Sequence, residues 1–121
     1  MAEYPVRWKI LKIEQDGDIL YKVFASWWDS WRLNSGCVKV EDSEDSFIVH
    51  GYSGSVYVLR KDGEGTASAY TESILNNIIQ QTVVVGISVE IVTIQELIDH
   101  LDKMGYLIPD YLYETLQEAY P

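Results

Sequence analysis

Two histidines and one cysteine are the strongest base and nucleophile candidates in this 121-residue chain. His50 lies within five residues of Ser53 and Ser55, so a serine–histidine pair can be drawn. Such a pair also needs a third group to orient the imidazole and donors for the oxyanion, and no G-x-S-x-G turn is present. Cys37 can be paired on paper with His50 or His100, but neither arrangement has supporting flanking sequence. Asp99, His100 and Asp102 crowd one segment, yet they lack the paired histidines of H-E-x-x-H. One Cys and two His cannot complete a Cys₄ or Cys₂His₂ zinc site. The chain is therefore read with no metal, no cofactor and no catalytic residues. A small hydrolase using His50 and a serine is the weakest of three functional readings.

Aromatic and cationic residues offer a different chemistry. Trp27, Trp28 and Trp31 fall within five residues and are followed directly by Arg32. Indole faces stack on planar rings and guanidinium binds anions, so this segment suits either a protein interface or a flat ligand. On a strand, Trp27 and Trp28 would point to opposite faces, which predicts that at least one lies away from the core. Tyr52, Arg60 and Lys61 complete a candidate ligand set for a nucleotide, with base stacking on the aromatics and phosphate on the cations. The loops Gly51–Ser55 and Gly63–Thr66 are weaker anion candidates: neither matches a phosphate-binding loop, and Asp62 and Glu64 oppose phosphate at the second.

Charge is the third signal. Residues 1–61 carry nine acids and eight bases, whereas residues 62–121 carry ten acids and Lys103 alone. The net charge of −10 thus sits almost wholly in the second half. A field of that sign repels nucleic-acid backbones and favours either solubility or steering toward a basic partner. Glu96, Asp99 and Asp102 fall opposite an apolar helical stripe, and Asp110, Glu114 and Glu118 recur every four residues. Four-residue spacing sets side chains in one row about 6 Å apart along a helix. In size and charge alone, the chain resembles small acidic proteins that block nucleases, including phage anti-defence inhibitors and immunity proteins.

These groups need elements to position them. Val6 to Ile10 alternates apolar with polar and then slips phase at Leu11 and Ile13, which predicts a strand with a bulge. Asp16-Gly17 predicts a hairpin turn into a second strand over Ile19 to Trp28. Trp31–Leu33 and Cys37–Val40, flanking Asn34-Ser35-Gly36, read as a third strand pair or one bent strand. Phe47–Tyr52 and Ser55–Arg60 form a hairpin around Ser53-Gly54. Thr66 or Ser68 should cap a helix to about Gln80, with Tyr70, Ile74, Leu75 and Ile78 inward. Val83, Val85, Ile87, Val89 and Ile91 alternate strictly and predict a strand near 83–92. Thr93 and Glu96 match a capping box before the stripe Ile94, Leu97, Ile98, Leu101, Met104. Pro109-Asp110 opens a last helix carrying Leu112, Leu116 and Tyr120.

The expectation is one domain over 1–121, β-rich to residue 61 and mixed, strongly acidic from 62. It is an α+β fold: an antiparallel sheet of five to six strands, an N-terminal meander plus the 83–92 strand, with about three helices on one face. No stretch is apolar enough to span a membrane, and a lone cysteine suits a reducing cytoplasm. The leading functional reading is a small, cytoplasmic, non-enzymatic protein that inhibits or neutralises a basic macromolecule. A nucleotide-sequestering protein using the Trp27–Arg32 segment is the second. The exposed tryptophan face or the 83–92 strand also offers a homodimer interface.

Overall fold

The structure, a computed structural model, describes residues 2–104. In chain order the elements are β1 (Ala2–Glu3), β2 (Arg7–Gln15), β3 (Asp18–Ser26), β4 (Trp31–Leu33), β5 (Cys37–Asp42), β6 (Ser46–Gly51), β7 (Val56–Arg60), α1 (Ala69–Val84), β8 (Ser88–Val92) and α2 (Ile94–Met104). The α+β class holds, but the strands form two four-stranded sheets rather than one of five or six. The first sheet runs β1-β7-β6-β5 and the second β4-β3-β2-β8. All pairings are antiparallel except β1 with β7.

The long β2–β3 hairpin is built around Asp16 and Gly17, both with positive φ (53° and 85°). That pair of left-handed residues matches the right-handed twist of the flanking strands. The ladder runs without a shift from Arg7↔Ser26 to Gln15↔Asp18, so there is no bulge at Leu11. The phase slip has another cause: β2 is buried on both faces. Trp8 and Ile10 face one core, with Tyr21, Val23 and Ala25. Leu11 and Ile13 face a second, with Leu20 and Phe24. A strand inside a layered fold needs apolar groups on both sides, as parallel-sheet strands do.

The two helices cover opposite faces of the second sheet, not one. Leu75 and Ile78 of α1 close the Leu11–Phe24 core. Leu97 and Leu101 of α2 join Val49, Tyr57 and Leu59 of the first sheet against Ile10 and Val23. The layers are therefore α1, the second sheet, then the first sheet with α2. A third helix opening at Pro109-Asp110 lies outside the described residues.

Ser68 caps α1, its hydroxyl accepting the Thr71 N–H at 3.2 Å while Thr71 Oγ1 accepts the Ser68 N–H at 2.9 Å. The buried stripe is Thr71, Leu75, Ile78 and Thr82, with Tyr70 outward. This helix runs to Val84 and displaces the expected strand, which begins only at Ser88. Its stop is a two-bond cap: Ile87 N–H donates to Thr82 O and Gly86 N–H to Val83 O, with Gly86 at φ 78°. Val83, Val84 and Val85 consequently face solvent at 70%, 86% and 67% exposure. Their alternation with Ile87 and Val89 is coincidence across a helix end.

Trp31–Leu33 and Cys37–Val40 belong to different sheets. β4 pairs with β3, and β5 pairs with β6. Asn34-Ser35-Gly36 carries the chain between them, with Gly36 at φ 129°. Asn34 covers the end of β4 by continuing its ladder. Its N–H donates to Val23 O, and its Oδ1 accepts the Val23 N–H at 2.9 Å.

Candidate functional site

The β3–β4 turn brings part of the aromatic segment together. β3 ends at Ser26, so Trp27 and Trp28 sit in the turn rather than on a strand. Trp27 N–H donates to Ser30 O at 2.9 Å and closes the loop. The indole N–H of Trp27 donates to Tyr4 O at 3.2 Å, which ties the ring to the residue that follows β1. Trp28 is 67% exposed because it lies in this turn, not because a strand alternates it outward as expected. Trp31 takes the opposite side of the sheet, stacked on Phe24 with centroids 5.8 Å apart.

Beside Trp27, Glu3, Ser30 and Arg32 complete an open cleft of about 240 Å³. Arg32 Nη1 donates to Glu3 Oε1 at 3.0 Å. The Tyr57 hydroxyl also lies against Arg32, and burial pushes its proton affinity up. Of the seven ligand candidates, Trp27 and Arg32 line this cleft and Trp28 adjoins Trp27 in sequence. Tyr52 sits in the β6–β7 turn. Arg60 pairs with Asp62 at 3.0 Å, and Lys61 pairs with Asp42 at 2.6 Å while lying over the Phe47 ring.

The glycine loops spend their N–H groups internally. Gly51 N–H bonds Ser55 O, Gly54 N–H bonds Gly51 O, and Gly65 N–H bonds Trp8 O. Neither loop presents a vacant cradle of these donors to an anion.

The reactive side chains are separated. His50 Nε2 contacts Glu41 Oε2 at 2.7 Å across β5–β6, and that hydrogen bond holds the Glu41 carboxyl below its usual range. Cys37 is fully buried, and loss of solvent pushes its thiol up to about 12. A thiol held that far from ionisation is a poor nucleophile. His100 packs on the Tyr21 ring at 4.7 Å. Among the described residues no three His, Cys, Asp or Glu side chains converge as a metal site.

No protein-family model, curated protein or solved structure matches the chain.

On α2, Thr93 Oγ1 accepts the Glu96 N–H at 3.1 Å, the first half of the expected capping box. The Glu96 carboxylate instead accepts the Tyr21 hydroxyl at 3.0 Å, which pins the helix to β3. Asp99 accepts from Gln95 Nε2 at 3.0 Å. Glu96, Asp99 and Asp102 are exposed, and among the described residues none is in an ion pair. Asp110, Glu114 and Glu118 lie outside the described residues.

Two buried groups were not singled out by sequence. Lys22, on the α1 face of β3, is 1% exposed, and desolvation lowers its ammonium to about 8. Asn34, 2% exposed, also donates through Nδ2 to Cys37 Sγ at 3.5 Å. The signal for Lys22 was available: it interrupts an otherwise apolar run from Ile19 to Ala25. Asn34 carries no comparable signal, because Asn beside Ser and Gly reads as an ordinary turn.

Proposed function

We propose that this protein is a cytoplasmic, non-enzymatic binding protein that presents an acidic face to a basic macromolecule and so inhibits or neutralises it. The observation supporting this reading is how the cations are placed. Of the nine cations, Lys9, Arg32, Lys39, Arg60 and Lys61 are each matched to a carboxylate, Lys22 is buried and Arg7 donates to Asp62 O, which leaves Lys12 and Lys103, both beside His100, near α2. On α2 itself, Glu96, Asp99 and Asp102 stand against Lys103 alone and none is in an ion pair among the described residues, so the helix carries a net negative charge that Lys12 offsets only in part. Surface charge of one sign speeds encounter with an opposite charge and loses that effect as salt rises. Among the described residues no helix is long and apolar enough to cross a membrane.

The test reverses that field on a fold left intact. Asp99→Lys with Asp102→Lys should change stability by no more than about 0.5 kcal/mol per site, because both side chains are exposed. Association with a cationic nuclease, followed by stopped flow, should slow, and its salt dependence should weaken. Association that is insensitive to both salt and charge reversal overturns the reading.

A further inference from the structure

We propose that the outer edge of β8 pairs antiparallel with β8 of a second copy of this chain, with the two-fold axis at Val89. The register shows which backbone groups are on offer. Val23 stands opposite Ile10 on the hairpin ladder, yet it spends its N–H and C=O on Asn34. These groups alternate in direction along antiparallel strands, so Ile10 and Lys12 turn theirs toward β8. There they meet Val92 and Glu90. The backbone groups of Val89 and Ile91 therefore point out of the sheet, of which β8 is the last strand.

The other three sheet edges are protected, and this one is not. β1 has two residues and β4 has three. β5 carries a register shift after Cys37 and the charges of Lys39, Glu41 and Asp42. Shortness, bulges and charge are the usual devices that stop an edge from recruiting another strand. β8 has five residues, an unbroken register with β2 and one charge, Glu90.

The segment is complementary to itself. Ile87-Ser88-Val89-Glu90-Ile91 has the same order of apolar and polar residues from either end. An axis at Val89 sets Ile87 against Ile91 of the second copy, and Ser88 against its Glu90. Apolar side chains then meet on the α1 face, where Ile87 and Val89 already join the core and Ile91 is 41% exposed. An axis at Glu90 would instead place two carboxylates directly opposite, which is destabilising. Ile87 N–H is bonded to Thr82 O at the end of α1. Ile91 of the second copy thus arrives beside the exposed Val83, Val84 and Val85. One partner covers both apolar exposures.

Sedimentation of the full chain tests the proposal. A monomer–dimer equilibrium should appear, and added salt should favour the dimer because each copy carries a net charge of −10. Ile91→Glu should weaken dimerisation about tenfold or more by setting a charge against Ile87. Cysteines placed on the exposed Ser88 and Glu90 report the register, since Cys37 is buried. In the proposed pairing these positions form a non-hydrogen-bonded pair with Cα atoms about 4.5 Å apart, within reach of a disulfide. With oxidised glutathione, Ser88→Cys mixed with Glu90→Cys should give a cross-linked dimer, and neither variant alone should. A monomer at every concentration, a dimer indifferent to Ile91→Glu, or cross-linking of Glu90→Cys alone overturns the proposal.

Discussion

Lys22 stands directly across the β2–β3 ladder from Leu11, and its side chain is as inaccessible as an apolar core residue. Its ammonium is held near pH 8 by loss of solvent, against an ordinary value of 10.5. Below pH 8 the amine is charged in both folded and unfolded chains, and the folded state bears the full desolvation cost. Between 8 and 10.5 the unfolded chain keeps a proton that the folded one has released, so this contribution to stability rises with pH. Lys22→Met should stabilise the protein at neutral pH by about 1 kcal/mol or more. Urea unfolding should show that gain shrinking toward pH 10.5. Tyr21, whose proton burial retains, titrates in both proteins and cancels in the difference, whereas the Lys22 charge lowers the Cys37 thiol, so Lys22→Met should push that thiol further up.

His100 carries the opposite signature at acid pH. Its ring packs on Tyr21, and Nε2 is buried with no hydrogen-bond partner among the described residues. Burial first, then Lys12 and Lys103, lower its proton affinity below the ordinary 6.5, with Glu96 opposing them. As pH falls below 6.5 the unfolded chain binds a proton that the folded chain resists, so stability falls. His100→Phe should flatten the thermal midpoint between neutral pH and pH 5, where the wild type declines.

Asn34 is the hinge between the sheets. Removing its side chain leaves the Val23 N–H buried without its acceptor. Asn34→Ala should cost about 1–3 kcal/mol, the usual penalty for such an orphaned group, measured by denaturant unfolding.

Gly51 is required for space rather than for backbone freedom. A Cβ there would press on the Ser55 hydroxyl and come within 2.9 Å of Ser35 Oγ. Ser35 is itself tied to the Ser53 N–H at 2.8 Å and cannot easily retreat. Gly51→Ala should cost about 1–3 kcal/mol by overpacking. The midpoint of urea unfolding reports it.

Local chemistry was legible wherever it acted over a few residues. Asp16-Gly17 specifies its hairpin because two adjacent residues of positive φ are what that turn needs. Ser68 stops helix α1 at its start and Leu97 and Leu101 face inward, since capping and helical periodicity are nearest-neighbour properties. At the site, the clustering of Trp27, Trp28 and Arg32 was visible. That Glu3 would complete the cleft was not, because 29 residues separate it from Arg32.

Where two physical causes leave the same pattern, only tertiary structure chose between them. The slip at Leu11 reads equally as a bulge or as burial on both faces, and the second sheet's position between two cores decides it. The valine alternation from 83 reads as strand, yet Thr82 packs inward and Gly86 ends the helix, leaving three valines in solvent. Trp27 and Trp31 lie four residues apart and would share a helical face. The turn between them instead sends one to the first-sheet side and the other onto Phe24. The residues themselves determined turns, caps and the apolar set. Which sheet each strand joins, and which core each apolar face meets, depended on contacts between segments distant in sequence, where burial rather than local propensity sets the energy.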